Sequence, residues 1–547
     1  MGINLKQKLN IFTIVSIIAG CLIVIPLLNI LIGIFTPASS TWIHVRTYLL
    51  TGYIINTIVL ILFVGLLSGI IGVYAAYVIT RYEFKGRKLL SWTLVLPLAV
   101  PSYIAAYVYA DMMSVTGTFT RFIGRVGLSL NLNVMSMPGA ILIFVFTLYP
   151  YVYMLVRSSL TKQSAAFIES ARLLKASRFR VFFRIVLPLL RPALIAGVLL
   201  VILETLNDYG LVSYFNVQVF SFAIFNAWFS FGDVGTAIRL SALLMIIVFI
   251  IVFLERMIRG KRRYNMHVKT KPVNRVPLTG FNRIVAPALL WGILGIGFII
   301  PVGQLFWYLS LTFQNTVRPD LLYIIINTLT IAIFSTFMVI VIAIMLANFN
   351  RGQTSAVKKS WLKITNLGYA IPGAVIAIAV NMFFIDVDRL LYPLYRLFNP
   401  DTVKLVLSMS LVMLIFAYIL RFMAIGYNSI EASYDKIGNQ FTEAAYVLKA
   451  SKLKTLIKID LPLLKAGMVS AAIIVFIDII KELPLTLILR PANYDTLATL
   501  VYEYASDEML QESSLAALIL IGISVVLIYV LTHQKKKGVV DYDVRKN

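Results

Sequence analysis

The chain has 547 residues, of which 60% are hydrophobic and 13% charged, whereas soluble domains are about 45–50% apolar and about 25% charged, so the composition excludes an ordinary soluble enzyme. The 49 Lys and Arg residues outnumber the 24 Asp and Glu residues and give a net charge of +25, which in so apolar a chain indicates the basic loops of a membrane protein rather than a nucleic-acid surface. A single cysteine, three dispersed histidines and the absence of a G-x-x-x-x-G-K-[ST] run exclude an intrachain disulfide, a Cys/His metal cluster and a P-loop.

Apolar stretches long enough to cross a bilayer recur along the whole chain. A spanning helix needs about 20 mostly apolar residues, and we predict an all-α polytopic membrane protein with about twelve such helices. The first stretch follows Lys6 and Lys8 like a signal peptide, but its apolar run is too long for one, so we expect a retained anchor. The predicted spans are residues 11–35, 53–80, 89–113, 138–158, 191–213, 237–258, 284–311, 323–349, 364–385, 403–424, 465–489 and 514–533.

The basic residues orient these spans. Placing the N-terminus in the cytoplasm also puts the basic stretch 81–88, the linker 259–283 and the tail 534–547 there, together with most of the Lys and Arg residues. Because positive charge is enriched in cytoplasmic loops, we expect both termini in the cytoplasm.

The chain contains the same pattern twice. Residues 169–177 (ESARLLKAS) recur as residues 443–451 (EAAYVLKAS), and IVLPLLR at 185–191 recurs as IDLPLLK at 459–465, both at an offset of 274. Asn56-Thr57 answers Asn327-Thr328, and Pro101 answers Pro372, at an offset of 271. We predict two parallel six-span halves, 1–258 and 284–533, because six spans between the copies leave both on the same side.

The duplicated segments, about 161–190 and 435–464, are too polar to cross the membrane. In the first, apolar and basic residues alternate with a helical period and break near Ser177. One such segment alone is equally well explained as a connecting helix on the membrane surface. Two copies at matching places favour a pair of docking elements.

The pattern E-x-A-x-x-x-K-x(9)-I-x-L-P in both segments resembles the EAA loop of type I ABC importer permeases. The resemblance implies the type I importer fold and two copies of a separate ATPase, which uses ATP and Mg²⁺, while this chain binds no cofactor. It also implies a solute-binding protein on the far side of a bacterial cytoplasmic (inner) membrane. The family usually has glycine where Lys175 and Lys449 stand, so the Ala-Ser that follows each lysine can shift the turn by one or two residues. The coupling residues carried over are Glu169, Ala171, Lys175, Ser177, Leu187, Pro188, Glu443, Ala444, Ala445, Lys449, Ser451, Leu461 and Pro462.

Two further stretches are similar to fused iron(III) permeases. They are NDYGLVSYF at 207–215 and KELPLTLILRP at 481–491. The resemblance implies iron(III) as substrate and an iron(III)-type solute-binding protein as partner. Importers of thiamine, polyamine or phosphonate share the loop and stay open as alternatives.

Acidic residues occur inside two predicted spans at matching positions. Glu204 and Asp208 lie in the fifth span, and Asp478 and Glu482 lie in the eleventh, each pair spaced i, i+4 so that both carboxylates share one helix face. Intramembrane carboxylates usually face a bundle interior or a watery path, and with Tyr209 they offer the oxygen ligands that a hard cation prefers. The alternative is structural, with Lys481 neutralising one of the carboxylates. We expect no permanent metal site, since a transport path must also release its cargo.

The competing class is a twelve-span secondary transporter, which needs no paired cytoplasmic loops. No catalytic constellation supports an enzyme, and the partners expected besides the ATPase and binding protein are membrane lipids rather than nucleic acid.

Overall fold

The computed structural model describes residues 11–35, 37–127, 133–162, 177–259, 275–316, 318–351, 367–401, 403–408, 410–438 and 440–537. The protein is an all-α polytopic membrane protein, as predicted. Across these ranges, the strands are two residues each: β1 (Tyr82–Glu83) pairs in parallel with β2 (Val276–Pro277).

The helices of the first half begin with a long apolar one and alternate between spanning and short connecting helices. They are α1 (Ile11–Gly33), α2 (Ser40–His44), α3 (Leu50–Arg81), α4 (Arg87–Thr93), α5 (Ser102–Met112), α6 (Thr118–Arg125), α7 (Met137–Lys162), α8 (Arg178–Val181), α9 (Leu187–Asn207), α10 (Gly210–Tyr214), α11 (Phe220–Phe225) and α12 (Val234–Arg259).

The second half follows the same alternation. Its helices are α13 (Asn282–Leu294), α14 (Ile300–Thr316), α15 (Leu321–Arg351), α16 (Gly373–Phe398), α17 (Leu411–Ile437), α18 (Gln440–Val447), α19 (Lys452–Thr455), α20 (Leu461–Ile480), α21 (Pro484–Leu489), α22 (Leu497–Ser506) and α23 (Ser514–Lys537).

Within the described ranges, ten helical segments are long and apolar enough to cross a membrane, or eleven if one bent pair counts as a span. The third predicted span is this pair: Arg87–Ala99 and Ser102–Met112 meet at 88°. Pro101 precedes α5 in an extended conformation, and proline cannot donate the backbone hydrogen bond that would continue a helix. The stretch predicted as a span over 89–113 is therefore two helices that break just before α5, at Pro101.

The ninth predicted span corresponds to α16, which is apolar only in its first half. Asp388 follows in its second half and is fully buried. It accepts hydrogen bonds from the Leu407 and Ser408 amides at 3.0 and 2.8 Å and from the Tyr395 hydroxyl at 2.9 Å. Burial alone would raise the pKa of Asp388, but these bonds, with one from the Ser408 hydroxyl, outweigh it and hold the pKa below its usual value. The Asp388 carboxylate thus stabilises the segment that joins α16 to α17 by binding its backbone amides.

The internal repeat extends to irregular backbone. A π-helical turn precedes the Leu-Pro pair in both halves, at Phe182–Val186 and Leu456–Asp460, and a 3₁₀ turn precedes α5 and α16, at Leu96–Ala99 and Leu367–Ala370. Equal irregularities at equal offsets support a duplicated unit more strongly than shared apolar composition does.

The repeated Asn-Thr pairs have equivalent structural roles. Thr57 Oγ1 accepts a hydrogen bond from the Phe220 amide at 3.2 Å, where α11 begins, and Thr328 Oγ1 accepts one from the Leu497 amide at 2.8 Å, where α22 begins. Each threonine satisfies an amide that the first turn of a helix leaves without an intrahelical partner.

The contacts divide the chain into two compact units that differ from the two sequence halves. One unit falls within Met1–Trp42, Ala227–Met245 and Arg318–Leu500, and the other within Ile43–Asn226, Ile246–Val317 and Val501–Asn547. In the first unit α1 packs on α15 and α16, and α15, α17 and α20 pack together. In the second unit α14 packs on α5 and α23, while α3, α7 and α9 pack together. A leading helix of each half therefore packs with helices of the other half.

Glycine permits the closest helix packing of the second unit. A Cβ at Gly72 of α3 would lie 2.6 Å from Cβ of Val152 on α7, and one at Gly197 of α9 would lie 2.9 Å from Val152 Cα. No side chain fits at these distances, so both glycines are needed for α3 and α9 to approach α7.

Candidate functional sites: the two repeated segments and the intramembrane carboxylates

The second repeated segment, about 435–464, contains the helix α18, a sharp turn and the short helix α19. The Ala450 amide donates to the Ala445 carbonyl at 3.0 Å, and Lys449 has φ +57°. This is the Schellman arrangement that ends a helix with a left-handed residue, which is usually glycine. In this segment the turn therefore lies at Lys449 itself and does not shift to the following Ala-Ser, while the corresponding Lys175 lies outside the described residues.

Ser451 begins the next helix directly after this turn. Its side chain accepts a hydrogen bond from the Lys454 amide at 3.3 Å and so caps α19. Serine suits this position because its hydroxyl can replace a missing intrahelical acceptor. Within the Lys-Ala-Ser sequence, Lys449 therefore ends α18 and Ser451 caps the start of α19.

The segment presents apolar side chains to its surroundings. Glu443 and Ala444 are exposed and Ala445 is buried. Val447 and Leu448 are each 81% exposed, and Phe441 is 53% exposed. Exposed apolar side chains beside charged ones are typical of a surface that binds another protein.

A buried ion pair anchors this segment to the membrane helices. Asp460, in the π turn before α20, lies 3.3 Å from Arg351 at the end of α15. Thr442 of α18 donates to the same carboxylate at 3.2 Å, and Arg351 also donates to the Gly438 carbonyl at 2.5 Å. Four elements therefore meet at one charge pair. Sequence reasoning missed Asp460, although an acid inside an otherwise apolar I-x-L-P stretch was a visible signal.

In the first repeated segment, Glu169, Ala171 and Lys175 lie outside the described residues. Ser177 matches Ser451, since its hydroxyl accepts from the Arg180 amide at 3.3 Å. Leu187 and Pro188 are the first residues of α9, and Leu461 and Pro462 are the first residues of α20. Leu461 is partly exposed and Pro462 is exposed. Proline is well placed in a first turn, where its missing amide donor has no helical partner to lose.

In the second half, both carboxylates form ion pairs within the first unit. Glu482 lies 3.3 Å from Arg421 of α17, with both side chains only 5% exposed, and it accepts from the Leu485 amide at 3.2 Å. Asp478 lies 3.6 Å from Lys481. Glu482 follows α20 instead of continuing it, so the expectation of one shared helix face is wrong for this pair. Lys481 neutralises Asp478, as the structural alternative anticipated, whereas the partner of Glu482 is an arginine that sequence reasoning missed.

In the first half, α9 ends before the second carboxylate. Glu204 lies on α9 and is partly exposed, but Asp208 is past the last helical residue with extended backbone. Its Oδ1 accepts from the Leu211 amide at 2.8 Å and caps α10. The expected sharing of one helix face is therefore wrong here also, because the chain turns at Asp208.

Tyr209 lies beside this turn in the second unit. Its ring stacks on Phe225 with centroids 3.6 Å apart, and its hydroxyl is 3.1 Å from that of Tyr502. Across the described ranges, no group of three His, Cys, Asp or Glu side chains is arranged to hold a metal ion.

Comparison with known proteins places this architecture in a family. The model of the binding-protein-dependent transport system inner membrane component matches residues 68–259 and again residues 339–536. The chain belongs to this family. Each matched stretch contains one repeated segment, so the permease carries the family's domain twice in one chain.

Two ferric permeases match over most of the permease, and a sulfate permease matches over about a quarter of it. The Fe(3+)-transport system permease protein FbpB 2 of Haemophilus influenzae is 24% identical over 484 residues, which cover 87% of the permease and 88% of that protein. The ferric transport system permease protein FbpB of Actinobacillus pleuropneumoniae is 24% identical over 78% of the permease and 63% of its own length. The sulfate transport system permease protein CysT of Salmonella typhimurium is 33% identical, but over 27% of the permease and 52% of its own length.

Proposed function

We propose that the permease carries iron(III) across the bacterial inner membrane. The observation that carries this proposal is the match to a permease named for Fe(3+) over 87% of this chain and 88% of the relative. The sulfate permease covers about a quarter of the chain, so it supports the shared transport domain more than a shared substrate. The thiamine, polyamine and phosphonate alternatives have no comparable support.

Energy for transport comes from two copies of a partner ATPase, one on each repeated segment, and ATP and Mg²⁺ bind there. The exposed Glu443 and the neighbouring apolar residues Val447 and Leu448 support docking at the second segment. An iron(III)-type solute-binding protein delivers the substrate from the opposite side. The excess of basic residues on the segments assigned to the cytoplasm supports cytoplasmic termini.

The translocation path is lined by Glu204, Asp208, Tyr209 and Asp478. These side chains retain partial exposure, and ionisable groups inside a membrane usually face a path or a bundle interior. Glu482 was part of this set on sequence grounds, but its buried contact with Arg421 supports a role in holding α17 to the end of α20.

Substrate uptake tests the proposal directly. Cells that express the permease with its ATPase and binding protein should accumulate iron(III), and excess sulfate, thiamine, spermidine or phosphonate should not compete. Competition by one of these solutes, without iron accumulation, would contradict the iron assignment.

Docking is tested by charge reversal. Glu169→Lys with Glu443→Lys should abolish co-purification of the ATPase while the permease stays in the membrane. Asp507→Lys, a charge reversal at an exposed carboxylate remote in sequence from both segments, is the matched control and should retain the ATPase. Retention by the double variant would contradict the role of these segments.

A further inference from the structure

The pair of Arg351 and Asp460 joins the second repeated segment to a membrane helix of the first unit. Arg351 is the last residue of α15, and Asp460 is the last residue of the π turn before α20. Their charged groups are 3.3 Å apart, and the side chains are 14% and 3% exposed. Separating such a pair would leave buried charges without compensation, which is unfavourable. The elements on either side of the pair therefore tend to keep their relative position.

Each member of the pair also binds other elements. Asp460 Oδ1 accepts from the Thr442 hydroxyl of α18 at 3.2 Å, and its Oδ2 accepts from the Asn348 amide of α15 at 3.4 Å. The second terminal nitrogen of Arg351 donates to the carbonyl of Gly438, the residue that directly follows α17. A guanidinium suits this place because its planar fork holds two acceptors in a fixed geometry. The pair thus connects α18, α15 and the end of α17.

The pair links α18 to a helix that α18 otherwise contacts little. Among the described elements, α18 packs mainly on its neighbours in the chain, α19 and the π turn. By contrast, α15 packs on α1, α17 and α20, so it contacts much of the first unit. The backbone leads from α18 to α20, whereas Arg351 and Asp460 lead from α18 to α15. A displacement of α18 can therefore reach α15 through this pair.

The acid of the pair is specific to the second half. At the offset of 274, Asp460 corresponds to Val186, which is 1% exposed. The π turn forms in both halves, so this backbone accepts a hydrocarbon side chain at the same place. A buried ion pair is often no more stabilising than well-packed hydrocarbon of similar volume. The carboxylate of the second half therefore calls for a role besides packing.

We propose that Arg351 and Asp460 are positioning residues for energy coupling, which pass movement of the second repeated segment to α15. The proposal rests on the proposed function, since it needs an ATPase docked at α18. The two residues act by making α18, α15 and the end of α17 move together, and they bind neither substrate nor nucleotide. Coupling between two sites is reciprocal, so the same link lets a solute-binding protein on the opposite side of the membrane change the rate of ATP hydrolysis.

The test compares the wild-type permease with one that carries Arg351→Met and Asp460→Leu together. This change removes both charges at once, and such a replacement of a buried pair is often neutral or stabilising. The double variant should therefore fold and keep the ATPase, but α18 loses its link to α15. In vesicles with the ATPase and the solute-binding protein, uptake of iron(III) supplied as citrate, per ATP hydrolysed, should fall roughly two- to thirtyfold, the range for substitutions within a coupling network.

Two further variants make the comparison specific. Asp386→Leu with Arg389→Met is the matched control: this pair of α16 lies in the same unit at 3.4 Å and loses the same two charges, but its side chains are exposed. It should keep the wild-type ratio of uptake to hydrolysis. Arg351→Lys keeps the positive charge beside Asp460 but lacks the fork that also reaches Gly438. It should lower the ratio less than the double variant does.

A monodisperse elution profile and the melting temperature show whether each variant is folded, and co-purification shows whether the ATPase is bound. A wild-type ratio in the folded double variant would overturn the proposal. If the double variant does not fold, a wild-type ratio in Arg351→Lys would overturn it. Loss of the ATPase from a folded double variant would overturn it as well, since the pair would then only shape the docking surface.

Stimulation of ATP hydrolysis by the solute-binding protein separates this inference from the proposed function. If the wild type accumulates iron and the double variant retains both uptake and stimulation, the proposed function stands and the coupling role of the pair is contradicted. If the wild type accumulates no iron but its hydrolysis is stimulated, and the double variant loses that stimulation, the iron assignment is contradicted and the coupling role stands.

Discussion

The buried pair of Arg421 and Glu482 gives the sharpest test of how the membrane carboxylates act. Both side chains are 5% exposed and their charged groups are 3.3 Å apart. Glu482→Gln would keep the shape and the acceptor for the Leu485 amide but leave Arg421 as a buried charge without its counter-charge. Removing one partner of such a pair costs about 3–5 kcal/mol of the free energy of unfolding. The second change, Arg421→Met in the same chain, should recover most of this loss, because no uncompensated charge is then buried.

The assay is thermal unfolding of the full-length permease in detergent, arranged as a double-mutant cycle, with iron uptake measured in parallel. Asp478→Asn is the control: its partner Lys481 is more exposed, so the loss should be smaller. If Glu482 only stabilises the fold through Arg421, iron uptake by Glu482→Gln should fall only in proportion to the loss of folded protein. A Glu482→Gln permease that is as stable as the wild type and yet does not transport iron would refute it and return Glu482 to the path.

Three further predictions follow from single contacts. Lys449→Gly should stabilise the second repeated segment by about 1–2 kcal/mol, because Lys449 has φ +57°. Lys449→Ile should instead weaken co-purification of the ATPase. Equal behaviour of the two variants would contradict the left-handed turn. Tyr107→Phe should leave the melting temperature unchanged or raise it, because the buried Tyr107 hydroxyl has no hydrogen-bond partner among the described residues. Tyr149→Phe removes a 2.9 Å hydrogen bond to the buried Leu94 carbonyl and should lower the free energy of unfolding by about 1 kcal/mol. Thermal unfolding of the two variants measures the difference. Hydrogen bonds hold the pKa of Asp388 below its usual value. The stability that the Asp388 carboxylate adds is therefore present above the pKa of an unfolded Asp, about 3.9, and is lost as the pH falls through the lower folded pKa. Unfolding followed from pH 6 to pH 3 should show this loss of stability in the wild type and not in Asp388→Asn.

Features that depend on neighbouring residues could be read from the sequence. Apolar length predicted membrane helices, because a bilayer imposes one requirement on every span. The duplicated motif at an offset of 274 predicted two equivalent segments, and the structure repeats even the π turns that precede their Leu-Pro pairs. Local rules also explain the turn at Lys449, although only the backbone shows that a lysine adopts the conformation usually left to glycine.

The identity of partners across helices could not be read in this way. Sequence reasoning offered Lys481 as the counter-charge of Asp478 or Glu482, and Lys481 does pair with Asp478. The partner of Glu482 is Arg421, and at the second repeated segment the partner of Asp460 is Arg351; both arginines come from other helices. A spacing of i, i+4 placed Glu204 and Asp208 on one face, yet the helix ends between them.

The sequence by itself determined the membrane class, the duplicated halves and the family's coupling motif, because periodicity, charge and local motifs act over a few neighbouring residues. Only the tertiary structure decided that α1 packs with helices of the second half, and that α14 packs on α5 of the first half as well as on α23. It alone brought the hydroxyls of Tyr209 and Tyr502, which are far apart in the sequence, to within 3.1 Å of each other. The physical reason is that helices in a membrane are selected by the fit of whole surfaces, including gaps left by glycine and charges that must be paired, and no single stretch of sequence carries both sides of such a contact.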